Sequence, residues 1–296
     1  MSALALSDQL MQLLFTGLTL GSVYALMALA LVITFNITGI LNLAQGEFTA
    51  LGALIAISIY NLGLPLPAIL VISSLLVALL GGLVERCTIH PARKASGLSL
   101  IIITIGVSIS LRGLALLIWG TDTYALPAFS PGGPLQLGGG ALTRQSLWIF
   151  ALTALVMVSL YVFFELTYWG KAVKACVINR TAARLQGINP GTVSFFAFMS
   201  SGALGAAAGI FIAPLTMATY DMGFMLGMKG FVAAVIGGLS HVSGAVLGGI
   251  LLGILESFSA GLISSGSKDA IAMIILLAVL LIRPKGLITG IRERKI

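Results

Sequence analysis

Leu98-Ser-Leu-Ile-Ile-Ile-Thr-Ile105 decides the class of this chain. The run does not alternate in polarity, so it is not a strand of a transmembrane barrel, which is built from alternating segments of about ten residues. The apolar character continues to Trp119, interrupted by one charge, Arg112. A hydrocarbon core is spanned by about 20 such residues. In lipid a helix satisfies its own backbone polar groups, whereas an open strand cannot. The stretch is read as a membrane helix.

Outward from it the pattern repeats. Charged residues make up 8% of the 296 positions, against about 25% in soluble domains. No charge falls between Asp8 and Glu47, between Glu47 and Glu85, or between Arg184 and Asp221. The apolar segments are 10–35, 47–62, 66–84, 98–119, 146–166, 191–216, 229–256 and 269–283. This predicts an all-α polytopic transmembrane bundle of about eight membrane segments, forming one membrane domain over 1–296. The polar loops are too short for a second, soluble domain.

The net charge of +7 would suit nucleic acid, but its placement argues against such a partner. Arg86, Arg93 and Lys94 form one group. Lys171, Lys174, Arg180 and Arg184 form a second, and Arg283, Lys285, Arg292, Arg294 and Lys295 a third. Together they hold 12 of the 16 basic residues, each group beside a long apolar run. Basic residues concentrate on the cytoplasmic side of membrane proteins, so 85–94, 167–190 and the C-terminal tail are placed there. Cys87 and Cys176 fall in the same segments, where a reducing environment disfavours a structural disulfide. The Gly- and Pro-rich stretch 120–145 then lies outside. Met1–Gln12 lacks a basic leader region, so no cleavable signal peptide is read.

Crossing parity sharpens the topology. Three straight crossings between loop 167–190 and an inside tail are impossible, so 229–256 is expected to enter and leave on one face. Gly237-Gly-Leu-Ser-His-Val-Ser-Gly-Ala-Val-Leu-Gly-Gly249 marks the break. Broken helices at membrane depth occur where protein or a water-filled cavity satisfies the backbone. The same count puts the N-terminus outside, with 36–46 a second re-entrant candidate. Gly17/Gly21, Gly205/Gly209, Gly223/Gly227, Gly244/Gly248 and Gly249/Gly253 fit the small-xxx-small spacing of close helix packing.

The loop Gly170-Lys-Ala-Val-Lys-Ala-Cys-Val-Ile-Asn-Arg-Thr-Ala-Ala-Arg-Leu-Gln-Gly-Ile-Asn-Pro190 reads as two short helices under the membrane. Lys171, Lys174 and Ala175 share a helical face. Thr181 is expected to cap the second helix and Gly187 to end it in the left-handed conformation. Asn189 then caps the next span, with Pro190 at its first position. Ala172, Ala175, Ala182 and Ala183 would fit a groove on a partner, and bulk at Ala182 or Ala183 is expected to clash there.

This loop is similar to the coupling loop of permeases of branched-chain (hydrophobic) amino acid ABC importers, of the LivH type. Four further stretches carry the resemblance. They are Gly17-Leu-Thr-Leu-Gly-Ser-Val-Tyr-Ala-Leu26; Ile40-Leu-Asn-Leu-Ala-Gln-Gly-Glu-Phe48; and Gly223-Phe-Met-Leu-Gly-Met-Lys-Gly-Phe-Val-Ala-Ala-Val-Ile-Gly-Gly-Leu239, closed by Arg283-Pro-Lys-Gly-Leu287. The likeness runs over nearly the whole chain in order. Gln45 stands where the family commonly has His, so a role requiring a protonated imidazole there is in doubt. The resemblance implies an importer subunit in the bacterial inner membrane, with its C-terminus cytoplasmic. Its implied partners are a homologous second permease subunit in a heterodimer, two cytoplasmic ATPase subunits, a periplasmic solute-binding protein and lipid. It implies alternating access driven by those ATPases. ATP and Mg would bind to them, since this chain has no phosphate-binding Gly-x-x-x-x-Gly-Lys-[Ser/Thr] loop. Lys171, Lys174, Ala175, Arg180, Ala182, Ala183, Arg184 and Gly187 are the coupling candidates. Asn42, Gln45, Glu47 and Lys229 are candidates for the translocation path. The substrate stays open among branched-chain and other small amino acids, amides and urea.

Intramembrane charges are costly and face a bundle interior or cavity. Glu47 and Lys229 suit either the path or a helix-pairing ion pair, and Glu256 is a further buried charge. Arg112, about 21 Å along its helix from Leu98, is expected to snorkel outward. His90 reads as a loop residue. His241 lies too close to Ser240 and Ser243 along the chain for a nucleophile–base pair, and no Cys/His group has metal-ligand spacing. The chain is therefore not read as an enzyme. The competing reading is a secondary transporter for small polar solutes, which would show inverted repeats.

Overall fold

A computed structural model describes residues 3–239, 241–264, 266, 268–283 and 286–287. Its helices are α1 (Ala3–Thr38), α2 (Gln45–Tyr60), α3 (Leu66–Val84), α4 (Gly97–Trp119), α5 (Arg144–Leu166), α6 (Tyr168–Ile178), α7 (Arg180–Leu185), α8 (Pro190–Thr216), α9 (Met222–Gly237), α10 (Val242–Leu262) and α11 (Lys268–Ile282). A π-turn, Glu85–Ile89, prolongs α3. A small hairpin, β1 (Leu135–Leu137) with β2 (Gly140–Leu142), lies between α4 and α5. Among the described residues, six helices are long and apolar enough to cross a bilayer. Three shorter ones, α2, α9 and α11, have 16, 16 and 15 residues. At 1.5 Å per residue these reach about 24 Å or less, short of a hydrocarbon core of about 30 Å.

The direction of each helix follows from its end contacts. At the start of α1, Gln12 accepts from the Ala141 N–H at 2.7 Å, beside the β hairpin. At its other end the Ile37 carbonyl accepts from Arg180 at 2.6 Å. Helix α1 therefore runs from the face of the 120–143 loop to the face of α6 and α7. On the first face, Tyr124 pairs with Ala218 and Ser257 of α10 donates to the Leu13 carbonyl at 2.7 Å. On the second, the Leu287 N–H donates to the Ile236 carbonyl at 2.8 Å. Gln12 and Leu287, near the two ends of the described chain, thus lie on opposite faces. Lys285, Arg292, Arg294 and Lys295 of the tail fall outside the described residues.

The 229–256 segment is not one span. Helices α9 and α10 form an antiparallel hairpin whose connection begins at Gly238, φ +96°. A Cβ on Gly237 would overlap the Gly244 carbonyl oxygen, and one on Gly248 would overlap Ala233. Glycine therefore sets how closely the two arms pack. The same device joins α10 to α1, where Gly253 fits against Gly21 and Gly249 against Ala25. Without a hydrophobic drive in lipid, such backbone approach maximises dispersion contact.

Residues 39–44 form the second interruption. After α1 the chain turns back into the protein, and α2 starts beside the middle of α8. The irregular backbone is satisfied inside the subunit. Thr104 of α4 accepts from the Leu43 N–H and donates to the Leu41 carbonyl, each at 3.3 Å. The Asn42 side chain accepts from the Ala44 N–H at 3.1 Å. Helices α4 and α5 sit at the periphery, with most of their apolar surface outward.

Candidate functional site

Two short helices meet inside the bundle. The first turn of α2 touches the first turn of α9, and at Gly46 and Gly223 a Cβ on either would strike the other's backbone. Each N-terminus carries partial positive charge. Glu47, in the first turn of α2, places a carboxylate at this junction. Its Oε1 accepts from Arg112 at 2.6 Å and from Ser108 at 2.8 Å, both on α4. The Arg112 guanidinium also lies 5.0 Å from the centroid of the Phe224 ring on α9. Arg112 does not snorkel outward as expected. The buried carboxylate across the helix interface holds it inward.

Gln45 donates to the Ser201 carbonyl on α8 at 3.0 Å, and its amide oxygen lies against the Ser201 hydroxyl. That hydroxyl also reaches the Ala30 carbonyl of α1 at 3.0 Å. A neutral amide thus joins three helices. Lys229, on α9, lies 2.6 Å from Glu256 on α10 and 2.9 Å from Asp269 on α11, with the Tyr24 ring centroid 5.7 Å away. Asn42, Gln45, Glu47 and Lys229 are all buried within the subunit. Asn42, Gln45 and Glu47 share the start of α2, whereas Lys229 sits apart in the α9–α10–α11 junction. Single charges in apolar sequence flagged Glu47, Arg112, Lys229 and Glu256. Nothing in sequence flagged Ser108, Ser201, Tyr24 or Asp269 as their neighbours.

The loop after α5 folds as two helices joined at Asn179. Asn179, rather than Thr181, caps α7: its side chain accepts from the Thr181 and Ala182 N–H groups, each at 3.0 Å. An Asn side chain reaches the N2 and N3 donors from the position before the helix, whereas Thr181 already lies within it. Gly187 has φ +82°, and Asn189 caps α8 with Pro190 next in line. Lys174 pairs with Glu165 of α5 at 2.6 Å, both half-exposed, and Lys171 lies over Tyr168. Arg180 anchors α7 to the end of α1.

Ala182 and Ala183 have different surroundings. Ala182 is exposed, whereas Ala183 is 3% exposed and packs with Ile37, Val193 and Ala197. Bulk at Ala183 would therefore unseat the loop from its own subunit before any partner was met. Leu185 is 84% and Ile178 76% exposed, so the loop presents apolar side chains outward. Helix α6 also walls a groove of about 960 Å³ between α1, α5 and α10. Cys176 is buried in the cluster with Ile37, Ala183 and Val193. Burial pushes its thiol pKa up, and the nearby Arg180 charge opposes that shift. Cys87 is exposed.

The family described as the branched-chain amino acid transport system permease component matches residues 13–283. The high-affinity branched-chain amino acid transport system permease protein LivH of Salmonella typhimurium (strain LT2) is 32% identical over 292 residues, covering 94% of this chain and 95% of that protein. BraD of Pseudomonas aeruginosa, with the same description, is 32% identical over 292 residues, with 94% and 95% covered. Among solved structures, PsaBC from Streptococcus pneumoniae in complex with Fab superposes with a TM-score of 0.50. It is 14% identical and 91% of each chain is covered, a likeness of fold alone.

Proposed function

The chain belongs to the branched-chain amino acid transport permease family, and from that premise we propose that it imports branched-chain or other small amino acids under the drive of partner ATPases. It is a multi-pass inner-membrane permease subunit of an ATP-binding-cassette transporter. The single observation that carries the amino-acid reading is the match of family and relatives over nearly the whole chain.

The partners in this reading are a second homologous permease subunit in a heterodimer, two cytoplasmic ATPase subunits and a periplasmic solute-binding protein. ATP and Mg bind to the ATPases, and this single-domain subunit, 1–296, performs transport rather than catalysis. The basic face with α6, α7 and the chain's end is cytoplasmic. Lys171, Lys174, Ala175, Arg180, Ala182, Ala183, Arg184 and Gly187 form the coupling element. Its support is a capped helical pair that shows apolar side chains outward and is anchored to α1 through Arg180. Movement of this pair bears on α1 and, across the groove, on α10.

Asn42, Gln45, Glu47 and Lys229 form the polar frame of the translocation path. Two interrupted helices whose positive ends meet at membrane depth resemble the arrangement transporters use around solutes. The frame fixes where these ends lie, so a shift of α4 or α9 opens or closes the passage beside them.

The test is co-purification of the tagged chain with its ATPases, followed by uptake of labelled leucine into proteoliposomes containing all partners. Uptake should require ATP inside and binding protein outside. Uptake that persists without ATP and follows an ion gradient would sink the proposal in favour of a secondary transporter.

A further inference from the structure

At the cytoplasmic end of α3, a pocket of about 100 Å³ lies between the π-turn, the end of α1, α7 and the start of α8. It belongs neither to the polar frame of α2 nor to the outward apolar face of α7. π-turns within helices often occur at functional sites. The walls of this one hold opposite charges that do not meet each other.

Three arginines line the pocket, Arg93, Arg180 and Arg184. Arg180 is engaged by the Ile37 carbonyl and Arg93 by the His90 ring. Arg184 has no carboxylate partner among the described residues. The N-terminus of the 27-residue α8 adds its positive end to the same wall. Together these make a seat for an oxyanion, which arginine forks and helix starts both favour.

Glu85 lines the pocket as well. Its side chain is 2% exposed, and its Oε1 is 3.8 Å from His90 Nδ1. Its Oε2 has no hydrogen-bond partner. A buried carboxylate oxygen left unpaired is costly. A guest that was only an anion would add repulsion from Glu85. A guest that was only a cation would face three arginines. The pocket complements a guest carrying both charges, with Ile40 and Ile89 as an apolar wall.

We propose that this pocket binds a free α-amino acid from the cytoplasm. Its carboxylate sits with Arg180, Arg184 and the start of α8. Its ammonium group donates to Glu85, and its side chain lies against Ile40 and Ile89. The occupied pocket ties α7 to α3 and α8, so a high internal amino-acid level would hold the coupling element still. The binding step stands on the pocket alone, while this regulatory consequence and the cytoplasmic side rest on the proposed function.

The test titrates the purified full-length chain with L-leucine in a calorimeter. Three further probes are 4-methylpentanoate, which lacks the ammonium group, 3-methylbutylamine, which lacks the carboxylate, and phosphoethanolamine, which stands for a zwitterionic lipid headgroup. L-Leucine should bind saturably, and the acid and the amine should each bind about tenfold or more weaker, as loss of a charged hydrogen bond requires. Phosphoethanolamine keeps both charges and should bind about tenfold or more weaker because it lacks the side chain that lies against Ile40 and Ile89. Glu85→Gln and Arg184→Gln should each weaken L-leucine about tenfold or more. Glu85→Gln should leave 4-methylpentanoate unweakened, a pattern that general unfolding would not give.

No saturable leucine binding, binding indifferent to both substitutions, or phosphoethanolamine binding as tightly as leucine would each overturn the site. ATP-driven uptake into proteoliposomes is scored separately. Uptake without Glu85-dependent binding removes this pocket and leaves the importer. Glu85-dependent binding without uptake does the reverse.

Discussion

Arg112 Nη2 lies 2.6 Å from Glu47 Oε1, joining the middle of α4 to the first turn of α2 across 65 residues of chain. Glu47 is 3% exposed at its side chain, so removing its counter-charge leaves a buried carboxylate held by Ser108 alone. Breaking a buried ion pair from one side costs about 3–5 kcal/mol. Arg112 is partly exposed, which puts Arg112→Ala at about 3 kcal/mol. The joint replacement Arg112→Met with Glu47→Met should be milder than Arg112→Ala. Thermal unfolding in detergent checks both, and an Arg112→Ala protein that melts like the parent contradicts the assignment.

The hairpin of α9 and α10 depends on glycine at its contact. Gly237→Val would drive a branched side chain into the Gly244 backbone. Overpacking commonly costs about 1–3 kcal/mol, and here the obstacle is main chain, which yields less than a rotamer. The substituted protein should lose monodispersity on size-exclusion chromatography. Gly106 on α4 has no heavy atom within 4 Å of a Cβ placed on it. Gly106→Val should therefore keep the fold of the isolated chain, within about 0.5–1 kcal/mol after allowing for helix propensity. Equal behaviour of the two proteins would mean that the hairpin contact is not tight.

The contrast between these two sites shows what sequence can disclose. Long uncharged runs marked the spans because lipid imposes its solvent requirement on each helix separately. The glycine cluster after Lys229 marked the break because a close turn is a local demand. The pairing of Glu47 with Arg112, and of Lys229 with Glu256 and Asp269, depends on how distant helices cross. No spacing along one chain carries that information. The same gap separates the snorkelling that sequence predicts for Arg112 from its inward position: depth along α4 is readable in sequence and the neighbour Glu47 is not. The cap of α7 lies two residues before the one sequence suggests, because Asn179 and Thr181 are both competent caps. Only the backbone conformation at residue 179, extended rather than helical, separates them.

Topology predicts a labelling pattern, and the structure selects the reporters. Cys176 is buried and its thiol pKa is raised by burial, so it reacts slowly from either side. Cys87 is exposed within the π-turn. In a protein with Cys87 as its one cysteine, an impermeant maleimide should label only after the membrane is opened. A cysteine introduced at Ser130, in a background without Cys87 and Cys176, should label on intact cells. The opposite pattern inverts the assignment of faces.

Coupling gives the last prediction. In the loop after α5, Ala183 is packed inside the subunit whereas Leu185 and Ala182 face outward. A docking surface must be built from the second kind. Leu185→Asp puts a charge at an apolar contact point, and Ala182→Trp adds bulk beside it. Neither side chain supports the bundle, so insertion and thermal stability should stay within about 0.5 kcal/mol of the parent. Assembly with the ATPase, and ATP-driven uptake, should fall about tenfold or more if Leu185 is a central anchor.

Gly187→Val behaves differently. A β-branched residue resists φ +82°, and strain of this kind costs about 1–3 kcal/mol, so the loop should shift and the protein lose stability along with uptake. Ala183→Trp should resemble Gly187→Val in that respect. Lys171→Gln should do little, because an exposed charge contributes about 0–1 kcal/mol. The informative pair is thus one outward and one inward substitution, each scored for stability and for ATPase binding. Parent-like ATPase binding by both Leu185→Asp and Ala182→Trp would remove α7 as the coupling element, whatever the inward substitutions did.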